Sequence, residues 1–212
     1  MVTFPVDLFL VESDLTPLEG RVSEFFDGLT TWQPSAKKTG LRNAPKVSIP
    51  GNTYEDAERQ ANNYFLTNLW GDGLPIVPPS SSRVDWILKG TDLSRHDSLG
   101  KLLPRGGIVT VETAAVSLAM AGGRPEYFPI LLAAIEAIMV PELVHDSWQA
   151  TSGSTFPVVV VNGPIANEIR LNSGFGLLGP DPQRPAGASI GRALRLLLQN
   201  VGGALPGVGT MA

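Results

Sequence analysis

Two stretches of the chain set hydrogen-bonding and ionisable side chains among residues that let a backbone come close to a ligand. The first runs from Val158 to Arg195. Asn162-Gly163-Pro164 comes after an apolar run, a loop carries Asn172, Gly174, Gly176 and Gly179, and a helix is expected to open at Ala188-Ser189-Ile190-Gly191-Arg192. Free backbone N–H groups at a helix start, with an arginine beside them, suit a carboxylate or a phosphate. Arg192 in a first helical turn would oppose the dipole's preference for acids there. That points to a bound anion or to a carboxylate partner. Two readings stand: the loop binds an anionic group, or its glycines serve tight turns and Arg192 pairs with an acid of the chain. The spacing matches neither the dinucleotide fingerprint nor a P-loop, since no Gly-Lys-Ser/Thr occurs.

The second stretch is Trp70-Gly71-Asp72-Gly73-Leu74-Pro75. Glycines on both sides free the backbone at Asp72 and can bring its carboxylate to a ligand. The same pattern also makes a turn in which Asp72 caps local N–H groups. Glu112 and Glu126 stand near helix starts, where acids compensate the dipole. Glu136 interrupts the most apolar helix and, if it faced the core, would need Arg192 or Arg195 as a partner. His145 precedes Asp146, but adjacent residues on a helix do not face each other. Neither Ser152 nor Ser154 stands at the centre of a Gly-x-Ser-x-Gly elbow, so nothing promotes them or Thr155 to a nucleophile.

These groups need elements to hold them. Residues 1–50 contain a possible strand at Val6–Val11 and then a polar, proline-interrupted stretch with Lys37, Lys38, Arg42 and Lys46, which reads as an extended N-terminal arm. Asn52 or Thr53 can cap a helix with apolar positions at Tyr54, Ala57, Ala61, Tyr64, Phe65 and Leu69, stopped by the glycines around Asp72. Leu74–Pro79 is extended, because three prolines forbid helix. Ser80-Ser81-Ser82 starts a short helix ending at Gly90. Thr110–Ala121 is a small-residue helix, and the next begins at Pro125 and halts before Pro141. Pro157–Val161, with four consecutive valines, reads as a strand buried on both faces. A final helix spans Ala188–Asn200 and is closed by Gly202-Gly203. The pattern predicts an α/β or α+β fold: helices packed on a small sheet with a buried central strand, residues 51–212 forming a single domain.

Composition bounds the chemistry. The chain has 212 residues, a formal charge of −4 and a charged fraction of 17%. An acidic chain with few charges carries no nucleic-acid footprint, and its apolar surface is expected to meet a partner. The absence of cysteine removes disulfides, thiolate nucleophiles and Cys-ligated metals. Two histidines, His96 and His145, do not make a His-rich metal site. Tyr127–Val140 contains Pro129 and Glu136 and falls short of the roughly 20 residues of a membrane span. Phe4–Val11 is broken by Pro5 and Asp7 with no basic residue before it, so no secretory signal is read and the cytoplasm is the expected location.

Four phrases stand together: Trp70-Gly-Asp-Gly-Leu-Pro-Ile-Val-Pro-Pro79, Met120-Ala-Gly-Gly-Arg-Pro-Glu-Tyr-Phe-Pro129, Asn162-Gly-Pro164, and Ser189-Ile-Gly-Arg-Ala193 with Asn200-Val-Gly-Gly203 after it. As a set, over roughly residues 55–210, they resemble the N-terminal half of an uncharacterised bacterial family whose members occur beside or fused to UGSC-motif (seleno)proteins. The resemblance implies a heteromeric assembly and an enzyme. The family commonly carries a cysteine at the position of Gly123, so no thiol role carries over. Its members continue past the position of Ala212, which leaves three expectations: a split subunit, a truncation, or a precursor that cleaves itself to expose a terminal nucleophile.

The functional expectation is therefore a subunit of a heteromeric cytoplasmic enzyme, a hydrolase or lyase, acting on a small anionic organic substrate. A partner protein chain, either a second subunit or the chain's own C-terminal half, would share the site. Asn162 and Asn172, with Gly163 and Gly174, would orient the substrate, Arg192 would hold its anionic end, and Asp72 or Glu126 would handle protons. The sequence leaves the cofactor unidentified, and a metal held by Asp, Glu and Asn oxygens stays open. The alternatives are the N-terminal chain of a self-cleaving hydrolase or acyltransferase, and a non-catalytic scaffold subunit.

Overall fold

Hydroxyl caps start the first three helices of the larger of two units. The computed structural model describes residues 12–31, 33, 46–153, 155–207 and 209–210, and divides into units 1–45 and 46–212. In the first unit, α1 (Thr16–Glu19) and α2 (Val22–Thr30) bury none of their residues, and Phe25, Phe26 and Leu29 are exposed. The expected strand at Val6–Val11 and the basic residues Lys37, Lys38 and Arg42 lie outside the described residues.

In the second unit, Thr53 accepts from the Asp56 N–H to start α3 (Tyr54–Thr67), and Ser80 accepts from Arg83 to start α4 (Ser81–Ile87). Thr110 and Thr113 cap each other reciprocally at the head of α5 (Val111–Met120). Small residues at Ala114, Ala115, Ser117 and Ala119 are all buried, so α5 packs closely along α9 (Pro185–Asn200), with α4 and α6 (Phe128–Ile138) also against it. The core between them holds Ile87, Leu118, Phe128, Leu131, Ile135 and Leu197, each at most 1% exposed. Two short helices, α7 (His145–Gln149) and α8 (Pro164–Glu168), complete the set.

An antiparallel hairpin, β1 (Ser98–Leu102) with β2 (Gly107–Thr110), feeds directly into α5 and carries a register shift between Ser98 and Gly100. It is tied down twice: the Leu103 N–H donates to His145 Nε2 at 3.0 Å, and the Arg105 N–H donates to the Gly202 carbonyl at 2.9 Å. Gly107 is required there, because any Cβ would collide with the Val201 carbonyl. The second unit is thus helices packed with a small sheet, the α/β or α+β class expected.

Three expectations are corrected. Pro157–Val161 is not a buried central strand: Val158 and Val160 are 70% and 83% exposed, and the segment pairs with nothing among the described residues. Four valines without alternation signal a demand for cover on both faces, and the described residues cover only one. Helix α9 starts at Pro185 rather than Ala188, with proline in the first turn. Arg192 therefore lies about two turns into the helix, beyond the first turn where the dipole disfavours a cation. Glu136 faces solvent and needs no core partner.

Candidate functional site

Helix α3 ends at Thr67, and the chain reverses through Leu69, which takes a left-handed conformation at φ 58°. The Trp70 N–H donates back to the Phe65 carbonyl, and its ring meets Tyr64 and Phe65 edge-on at 5.6 and 5.9 Å between centroids. Gly73 then turns at φ 86°, a value that favours glycine. Residues 75–79 lie outside helix and sheet and are stitched to their neighbours. Asn62 of α3 accepts from the Ile76 N–H at 2.8 Å and donates to its carbonyl at 3.2 Å, while the Val77 N–H donates to the Met120 carbonyl.

Helix α9 grips this loop from the other side. Arg192 donates through Nε to Asp72 Oδ2 at 2.7 Å and through Nη2 to Oδ1 at 2.9 Å. Nη2 also reaches the carbonyls of Leu74 at 3.3 Å and Pro75 at 2.9 Å. Gln199 donates to the Leu69 and Gly71 carbonyls, and Asn200 to that of Trp70. Arg192, Leu196, Gln199 and Asn200 fall at i, i+4, i+7 and i+8, one stripe of the helix. Leu196, fully buried, packs with Ile76 and Met120 in the middle of it.

The electrostatics match the geometry. Asp72 is held below its ordinary pKa chiefly by the Arg192 hydrogen bond, against partial burial, and the Leu74 N–H adds to the effect. Arg192 is raised in turn by Asp72. A two-pronged arginine–carboxylate pair fixes orientation as well as charge. Such a depressed carboxylate is a weaker base, the reverse of what proton abstraction near neutral pH asks for. Of the two sequence readings of Arg192, pairing with an acid of the chain is the one the geometry displays.

The other sequence-derived residues stand apart from this pair; among the described residues, no hydrogen bond or ion pair links them to it. Glu126 is exposed on the turn before α6, and Gly174 is exposed at φ 78°. Asn172 donates to the Gly176 carbonyl at 3.0 Å, and its Oδ1 is buried without a partner against Gly187 of α9. Asn162 and Gly163 close the extended segment that begins at Thr155, and Gly163, at φ 93°, leads into α8.

That segment belongs to no helix or strand. No backbone hydrogen bond joins residues 155–162 to any other described residue. With the outer face of α6 it bounds an apolar groove of about 780 Å³, lined by Ile130, Ala133, Ala137, Leu143, Trp148 and the residues from Thr155 to Asn162. No family model, curated protein or solved structure matches the chain. Among the described residues there is no group of three or more acids or histidines placed to hold a metal, and no helix long and apolar enough to cross a membrane.

Sequence reasoning missed the hairpin, the tie from His145 to Leu103, and the stripe on α9. The stripe's spacing is a signal present in the chain; the identity of its target, more than a hundred residues away, is not.

Proposed function

We propose that the chain is one subunit of a heteromeric cytoplasmic enzyme acting on a small anionic organic substrate, with a partner chain supplying strands that pair with residues 155–162. The observation that carries this is the unpaired segment. An extended run whose N–H and C=O groups bond to no other described residue, with outward-facing Phe156, Val158 and Val160, has the chemistry of a strand lacking its neighbours. No charged residue lies between Asp146 and Glu168, so an apolar strand can approach without burying a charge. In a completed sheet Asn162 and Gly163 would stand at the strand's carboxyl end, where ligands bind in α/β folds. Asn172 and Gly174 belong to the next loop. The resemblance to the UGSC-associated family supports the same assembly.

A second reading is a non-catalytic scaffold subunit. The engagement of Asp72 with Arg192 favours it, because that pair has no titratable group left over for proton transfer.

Hydrogen exchange on the natively purified protein tests the proposal, together with denaturing intact mass and N-terminal sequencing of every chain present. A second chain in fixed ratio, with residues 155–162 protected in the complex and exchanging freely in the isolated chain, is the expected result. A preparation containing this chain alone, with the segment exchanging freely, would overturn it.

A further inference from the structure

The three most exposed large apolar residues of the described chain stand at two places: Phe175 at 90% and Leu178 at 87% in the loop before α9, and Val160 at 83% in the extended segment. The loop holds its pair outward on a fixed backbone. Gly174, Gly176 and Gly179 turn at φ 78°, 61° and 62°. Asn172 Nδ2 and the Gly179 N–H both donate to the Gly176 carbonyl, at 3.0 and 2.9 Å, and Arg184 donates to the Ser173 carbonyl at 2.6 Å. An apolar tip held in this way has less freedom to lose on docking than a loose one. No charged residue lies between Arg170 and Asp181, and none of residues 171–180 lines the groove of the same chain.

That groove suits such a tip. Ala133 and Ala137 of α6 lie exposed along it and leave room, Ile130, Leu143 and Trp148 are apolar around them, and no charged side chain lines it. Its volume of about 780 Å³ falls in the range, about 300–1,000 Å³, that seats a drug-sized body, and one benzyl with two isobutyl groups is of that size. Strands paired along the edges of residues 155–162 would not fill it, since pairing joins main chains and leaves the outward row of Phe156, Val158 and Val160 bare. We propose that the groove is filled by the Phe175–Leu178 tip of a second copy of this chain, and reciprocally, so that two copies close as a two-fold pair. Reciprocity follows from area. Three side chains at no more than about 250 Å² apiece fall short of the about 800 Å² that a stable interface takes from each partner, whereas a two-fold contact buries a tip and a groove on both copies. Helix α2 of a second copy is the weaker occupant. Its two phenylalanines are flanked by Glu24 and Asp27, which would meet the exposed Glu136 and Glu142, neighbours in the chain of Ala137 and Leu143.

The experiment takes the full 212-residue chain and measures its mass by sedimentation velocity over about 1–100 μM, the weak end for interfaces of standard size. The expected species at the upper end has twice the mass of one chain. Phe175→Ser on the tip and Ala137→Glu in the groove, both at exposed positions, should each weaken dimerisation at least about tenfold, the scale of a buried anchor. Leu66→Ser, exposed on α3, should leave it unchanged. The chain has no cysteine, so contact can be read directly. Ser173→Cys and Ala137→Cys should cross-link through a short bismaleimide when the two variants are mixed, and not when either is alone. A monomer throughout, a dimer that survives both substitutions, or no cross-link in the mixture overturns the proposal. A dimer broken by one substitution and not the other sends tip or groove to a different contact, and a mass that keeps rising with concentration means an open chain of contacts; either overturns it too. The proposal does not rest on the heteromeric partner, and its failure leaves that reading standing, since only this chain enters the measurement.

Discussion

Replacing Arg192 with alanine deletes two bonds to Asp72 and two to main-chain carbonyls. A hydrogen bond to a charged group contributes about 1.5–3 kcal/mol. The side chains of the pair keep 25% and 17% of their surface in water, so solvent screens part of that attraction. The Leu74 N–H still serves Asp72 after the change. Breaking a fully buried pair costs about 3–5 kcal/mol, and this partly exposed one should cost about 2–3. In a chain of this length that lowers Tm by about 4–12 °C. Asp72→Asn should lose a comparable amount, and the double variant little more than either single one, giving a coupling energy of about 2 kcal/mol. Chemical and thermal unfolding without any ligand present are sufficient for the cycle. A Tm within about 2 °C of the parent for Arg192→Ala, or additive losses in the double variant, would refute the clamp. Arg192 would then be free for a substrate, as the sequence allows.

Three further outcomes are expected. Because the folded-state pKa of Asp72 is depressed, its contribution is fully present above the unfolded value of about 3.9 and is lost as pH falls through the folded one. The Tm gap between parent and Asp72→Asn should therefore be constant near neutrality and close below about pH 4. Val158→Lys combined with Val160→Lys should change the stability of the isolated chain by less than about 1 kcal/mol, since both side chains face solvent, while abolishing assembly measured by light scattering. His145→Ala removes the acceptor for the Leu103 N–H and should cost about 1–3 kcal/mol, with faster amide exchange at Leu103 as its specific sign.

The helices are legible in the sequence because their signals are local. Thr53, Ser80 and Thr110 announce their own caps, and Gly122-Gly123 ends α5 within a residue or two of where the chain stops being helical. The hairpin is not, because Ser98-Leu-Gly-Lys-Leu102 shows no alternation. Its position depends on His145 and Gly202, which are distant in sequence. The valine run signals a demand for burial, which is not the same as burial achieved, since periodicity describes what a segment needs and not whether a neighbour is at hand. At Arg192 the residue type gives the chemistry of an anion partner, and the error lies in the helix start: Pro185 and Gly187 look like loop, yet proline suits a first turn. Which acid answers Arg192 is written nowhere near it in the chain.

The grip of α9 on the loop at residues 69–75 is a grip on the main chain. Apart from Asp72, every acceptor it uses is a peptide carbonyl, and the residues Leu69, Trp70 and Leu74 are 59%, 40% and 63% exposed. Shape and display are therefore separate properties of this loop. The helix fixes the path through atoms that all residues share, so the chemistry shown at Leu69 and Leu74 can be rewritten without moving the frame, while the Trp70 ring stays packed on Tyr64 and Phe65.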